Sequence, residues 1–106
     1  MLNVLILGPP SFTSTLDELK SFLKFNPLTI DFNNQYDVIL FHNEALNDKK
    51  QKEIIVNSEA IKICAAEKSF LLNNFDAYLE LPATIKEING IVENIAAKKK
   101  FNKNSS

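Results

Sequence analysis

The sequence predicts a single α/β domain, a mostly parallel five-stranded sheet with helices on both faces. Two runs that are apolar throughout, Val4–Leu7 and Val38–Phe41, have the pattern of strands buried on both sides. Segments with helical apolar spacing lie between the strand runs, the alternation that builds a parallel sheet. The chain has 106 residues, 45% hydrophobic and 24% charged, which is the length and balance of one globular domain around one core.

Asn3–Leu7, ended by Gly8-Pro9-Pro10, is the first strand. Ser14 and Thr15, each followed three residues later by an acid, offer overlapping capping boxes. Leu16, Leu19, Phe22 and Leu23 then share a helical face, so the first helix is expected over about Thr15–Phe25, stopped by Asn26-Pro27. Leu28–Phe32 is the second strand candidate, interrupted by Asp31, and Asn33-Asn34-Gln35 is a turn or loop before the third strand, Tyr36–Phe41. Asn47 is expected to cap a helix over Asp48–Asn57, with Ile54, Ile55 and Gln51 inward. Ile61–Ala65 is the fourth strand, Ser69–Asn73 one or two turns of helix, and Ala77–Leu79 a short fifth strand closed by Pro82. Thr84-Ile85-Lys86-Glu87 forms a capping box, and Ile85, Ile88, Ile91, Val92 and Ile95 keep helical spacing to about Lys99. Gly90 costs that helix roughly 1 kcal/mol against alanine, so close packing on the sheet is expected there. From Lys98 the apolar period is lost. The domain is therefore drawn as 1–97, with 98–106 a linker or disordered tail.

Composition excludes several functions. The net charge is −1 and all twelve basic residues are lysines, so the guanidinium forks that read phosphate and guanine are missing. No direct nucleic-acid binding by this domain is expected. Its apolar runs are too short to cross a bilayer, and Pro9-Pro10 interrupts the only stretch resembling a leader. A single cysteine, Cys64, suits a reducing, cytoplasmic compartment and reads as a small core residue. With two glycines, Gly8 and Gly90, the chain has no glycine-rich phosphate loop.

In a parallel sheet, ligands bind beyond the carboxyl ends of the strands. Those ends are Gly8-Pro9-Pro10, His42-Asn43-Glu44, Ala65-Ala66-Glu67 and Leu81-Pro82. Only His42, Asn43, Glu44 and Glu67 carry reactive groups. A lone histidine at a strand end is more often a hydrogen-bonded structural residue than a ligand, and a divalent metal needs several converging oxygens. Thr13-Ser14-Thr15 offers hydroxyls for a phosphate at the helix start, against plain capping as the simpler role. No catalytic set, metal set or cofactor is predicted, and the chain is not expected to be an enzyme.

These residues resemble the receiver domains of two-component response regulators. Asn3-Val4-Leu5-Ile6-Leu7-Gly8-Pro9 is similar to the family's opening strand, with Gly8 and Pro9 where its acidic pair belongs. Tyr36-Asp37-Val38-Ile39-Leu40-Phe41-His42 resembles its third strand, with His42 in the phosphoacceptor position. In Phe75–Pro82, Tyr78 matches the switch aromatic, Pro82 the proline, and Leu81 replaces the lysine; the hydroxyl position falls on Ala65, or on Cys64 in a register slipped by one. The resemblance implies a three-layer CheY-like (flavodoxin-like) sheet of order 2-1-3-4-5, with the second helix missing and the fourth shortened. It implies a degenerate, phosphorylation-independent receiver: a regulatory and dimerisation domain of an orphan response regulator, a transcriptional regulator whose DNA-binding effector domain is absent from this chain. A homodimer through Tyr78, Lys86 and Glu87 follows from the same resemblance. The alternatives are a small flavodoxin-like ligand or phosphate carrier, working through His42 or Thr13–Thr15, and a stand-alone protein-interaction adaptor.

Overall fold

A computed structural model describes residues 2–29, 36–67 and 75–104. Strands β1 (Asn3–Leu7), β2 (Asn26–Leu28), β3 (Val38–His42), β4 (Ile61–Glu67) and β5 (Ala77–Leu81) form one sheet in the order β2-β1-β3-β4-β5. Every neighbouring pair is parallel. Helices α1 (Pro10–Glu18), α2 (Lys49–Asn57) and α3 (Ile85–Asn104) cover it, with 3-10 turns at Lys20–Phe22 and Asn43–Asn47. Most of the connection from β2 to β3, where no second helix is expected, lies outside the described residues.

The continuous apolar runs are explained by two cores. Val4, Ile6, Val38, Leu40, Ile63, Ala65 and Leu79 point to one face and pack with Leu16 of α1 and with Ile88 and Val92 of α3. Leu5, Leu7, Ile39, Phe41, Cys64 and Ala66 point to the other and pack with Ala45 and with Ile55 of α2. A strand with period two and both faces covered must be apolar at every position.

Register is set at the amino ends of the strands. Asp37, just before β3, accepts the Asn3 N–H on Oδ2 at 3.0 Å while its own N–H donates to the Asn3 carbonyl at 2.8 Å. Asp76, just before β5, repeats the clasp on Lys62 at 2.8 and 3.0 Å. The edge strand is tied by Asn26 Nδ2 donating to Asn3 Oδ1 at 2.9 Å.

Several expectations are corrected. Helix α1 begins at Pro10 rather than Thr15, because Pro9 takes the cap position and the fixed φ of Pro10 suits the first helical residue. The hydroxyls read as caps turn back on their own helix: Thr15 Oγ1 donates to the Ser11 carbonyl at 2.6 Å and Thr13 Oγ1 to that of Pro10 at 3.4 Å. The helix ends at Glu18, so the expected face breaks up: Leu16 and Leu23 are buried, whereas Phe22 is 64% exposed. Asn26-Pro27, expected as a stop, lies inside β2, where an edge strand tolerates proline. Of the expected strand Leu28–Phe32, residues 30–32 lie outside the described residues, as do Asn33-Asn34-Gln35 and Ser69–Asn73. Asp48, not Asn47, caps α2, accepting the Gln51 N–H at 3.0 Å. Strands β4 and β5 run on to Glu67 and Leu81.

The capping box of α3 forms as expected: Glu87 Oε1 accepts from Thr84 N at 3.0 Å, and Thr84 Oγ1 from Glu87 N at 3.1 Å. A Cβ added at Gly90 would meet nothing within 4 Å, so that glycine is not placed for close packing. Helix α3 continues to Asn104, through most of the stretch read as a linker or tail. Inside it, buried Asn89 accepts from Lys24 N at 2.8 Å and donates to the Phe22 carbonyl at 3.1 Å, clasping the turn before β2.

Candidate functional site

The parallel register brings the ends of β1 and β3 side by side, with Leu7 opposite Phe41, so Gly8 meets His42. The approach is close. A Cβ on Gly8 would lie 2.8 Å from His42 Cβ and 3.1 Å from the Phe12 ring, and Gly8 has φ +148°. A side chain there would clash with its neighbours in a backbone conformation that favours glycine.

Two polar groups at this junction engage a neighbour. Gly8 N–H donates to Gln51 Oε1 of α2 at 2.8 Å. His42 Nδ1 accepts the Glu44 N–H at 3.1 Å and caps the 3-10 turn that follows β3. This puts the proton of the neutral ring on Nε2. The ring meets Phe12 edge-on, with centroids 5.4 Å apart. The histidine at this strand end is thus hydrogen-bonded to the turn that follows it.

The other predicted positions scatter. Ala65 pairs with His42 in register but is fully buried in the core beneath α1 and α3. Leu81 is half-buried against that same core. Tyr78 faces the opposite side of β5, where its Oη accepts the Phe75 N–H at 3.2 Å and Phe75 meets Phe41 edge-on at 4.9 Å. Tyr78 and Leu81 are three residues apart on a strand, and the period of two sends them to different faces. Pro9 is spent as the α1 cap, and Glu44 and Glu67 are exposed. Cys64 is fully buried, and desolvation pushes its thiol pKa up to about 11.

Tyr78 and Glu87 line a groove of about 580 Å³ between β5 and α3, together with Glu80, Ile91 and Lys98. Lys86, expected on the same face, is exposed on the first turn of α3 outside that lining. Glu87 sits below the ordinary glutamate pKa because it accepts the Thr84 backbone N–H and is bonded to the Thr84 side chain.

No family model and no curated protein sequence matches the chain. Among solved structures, it is similar to a signal receiver domain of two-component signal transduction (histidine kinase) from Clostridium thermocellum. The TM-score is 0.55 at 11% identity, over 90% of this chain and 97% of that one. The fold is receiver-like.

A receiver fold brings with it the question of a magnesium site at these strand ends. Magnesium takes oxygen ligands at near-octahedral positions, usually from one or two carboxylates. In the receiver-like domain Gly8, Pro9, Ala65 and Leu81 supply no side-chain oxygen, and the Gly8 N–H is occupied. The residues present do not fit such an ion. Among the described residues no group of three His, Cys, Asp or Glu side chains converges on a common point.

Sequence reasoning missed Phe12 and the destination of Gln51. The signal for Gln51 was present: it stands one turn before buried Ile55, a polar residue at an inward position of α2.

Proposed function

We propose that this receiver-like domain is a regulatory module that works without phosphoryl transfer and catalyses no reaction. The observation that carries the reading is the 2.8 Å between the Cβ position of Gly8 and His42 Cβ. The two places where a receiver holds its acids and its phosphoacceptor are here packed against each other. Aspartyl phosphate chemistry needs charged oxygens to hold a metal and polar groups around the phosphoryl oxygens. Gly8, Pro9, Ala65 and Leu81 offer neither, and Leu81 contributes apolar packing where a cation would lose its hydration without gaining a partner.

On this reading the domain is the dimerising, cytoplasmic receiver part of an orphan response regulator. A DNA-binding effector domain elsewhere in a longer protein would carry the contact with nucleic acid. The pairing face is the one carrying Tyr78, Lys86 and Glu87, and without a phosphate switch the pairing is constitutive. The test is incubation with acetyl phosphate, or with beryllofluoride and magnesium, followed by mass spectrometry, NMR and sedimentation of treated and untreated samples. The expected result is no adduct, no shift at Gly8 or His42, and the same concentration-dependent dimer in both samples. A stoichiometric adduct on any residue overturns the proposal.

A further inference from the structure

We propose that His42 is a proton-operated latch on the turn that follows β3. The inference rests on the reading of a closed, phosphate-independent site and names what that site responds to.

The geometry gives both protonation states of the ring a partner, and the same residue supplies both. In the neutral ring Nδ1 is an acceptor, and the Glu44 backbone N–H fills it at 3.1 Å. The Glu44 carboxylate oxygen Oε2 stands 3.8 Å from the same nitrogen. Protonation places an N–H on Nδ1. Two donors then face each other across the former hydrogen bond, which is lost. The imidazolium requires an acceptor instead, and the carboxylate of Glu44, with its side chain 61% exposed and free to swing, becomes its partner. The proton comes from solvent, which reaches the ring because the His42 side chain is 19% exposed. No covalent bond is made or broken beyond N–H.

Nothing else packed on the ring competes. The ring meets Phe12 of α1, while Gly8 of β1 lies against His42 Cβ and Ala65 of β4 stands opposite His42 in register, none of them ionisable. Helix α2 reaches the junction through the uncharged Gln51. Glu67, two residues beyond Ala65 on the same side of β4, is exposed, and among the described residues Glu44 is the one acid at ion-pair distance.

The exchange is not confined to the ring. His42 caps the turn Asn43–Asn47, whose Ala45 is buried beneath the second core, and that turn leads directly into Asp48 and α2. Releasing the Glu44 N–H loosens the first turn of this connection. The same ring meets Phe12 edge-on, and the His42 Cβ that carries it lies against Gly8, so the latch couples the proton to β1, α1 and the entry to α2 together.

The test is a heteronuclear NMR titration of the full chain over about pH 5–8, the range in which histidine charges change. It uses no phosphodonor, so its outcome is independent of the acetyl phosphate experiment. The His42 ring carbons report protonation and the Glu44 backbone amide reports the cap. The expected result is that the Glu44 amide moves with the same midpoint as the ring, accompanied by the Gly8 amide. In His42→Asn the amide oxygen is itself a preferred cap and does not titrate. That variant is expected to keep the turn and lose the pH-dependent displacement of both amides. A Glu44 amide that stays still while the ring titrates overturns the proposal, as does an unchanged displacement in His42→Asn.

Discussion

The two ends of the sheet are built on opposite rules. At the amino end, side chains reach sideways to the backbone of the next strand: Asp37 to Asn3 and Asp76 to Lys62. At the carboxyl end most reach forward to the helix or turn that follows in the chain, His42 to Glu44, Asp48 to Gln51 and Thr84 with Glu87, and Gln51 alone among those named crosses to another element, at Gly8. The first arrangement fixes which strand residues face each other. The second satisfies the orphan N–H groups that begin each helix. In this receiver-like fold the frame is thus tied at one end of the sheet, while polar groups at the other end serve local capping and, through Gln51 on Gly8, one contact between elements.

The largest expected effect comes from breaking the carboxyl end at its closest contact. Gly8→Ala introduces a methyl that would lie 2.8 Å from His42 Cβ, next to a backbone that cannot give way easily, and forces an alanine to φ +148°. A cost of about 2–4 kcal/mol is expected from the strain and the overpacking combined. Urea denaturation gives the value, and a midpoint shift worth under about 1 kcal/mol would show that the two strand ends have room to separate.

The amino end should yield smaller, paired effects. Asp37→Ala and Asp76→Ala each remove one charge-assisted acceptor from a neighbouring strand, at about 0.5–1.5 kcal/mol apiece given their exposure. Asparagine at either place retains an acceptor oxygen and is expected to cost less. Hydrogen exchange sharpens the comparison: the Asn3 amide should lose protection in Asp37→Ala and the Lys62 amide in Asp76→Ala, each without the other. Equal loss at both amides in either variant would mean that the clasps are one cooperative unit and that register is set elsewhere.

Much of this frame was legible in the sequence, and the reason is physical. Strands β1, β3 and β4 are each apolar at four successive positions because both faces are covered, and no helix among the described residues has four in a row. The α3 box is legible because Thr84 and Glu87 satisfy each other locally. Signals fail where two local rules compete. Ser14 and Thr15 looked like caps, but Pro10 starts the helix first and turns the Thr15 hydroxyl into an internal bond. That error hid Phe12, which reaches His42 only because α1 begins at Pro10. For the site, Gly8 and His42 could be named from the strand pattern, but their contact depends on parallel register, which no single segment encodes. Tyr78 and Leu81 were read from one segment in two different roles, and the period of two sends them to opposite faces of the sheet.

The smallest expected effect lies at the start of α3, where the carboxyl-end rule can be examined by acid alone. Glu87 accepts the Thr84 backbone N–H and receives help from the Thr84 hydroxyl, and these bonds lower its pKa from the ordinary value of 4.5. The folded state therefore holds the ionised form more firmly than the unfolded chain does. This contribution is fully present above pH 4.5 and is lost as the pH falls through the lower, folded value. Glu87→Gln keeps a capping oxygen, since glutamine serves in the same box, but removes the titration. The variant is expected to be slightly less stable than the parent near pH 7 and to converge with it in acid, because the part of the decline below pH 4.5 that belongs to this residue disappears. Denaturation midpoints for both proteins at neutral and acid pH decide the matter. Because Glu87 is exposed, added salt should shrink the difference. A variant that declines with acid as steeply as the parent would place the capping energy in the Thr84 side chain and not in the carboxylate.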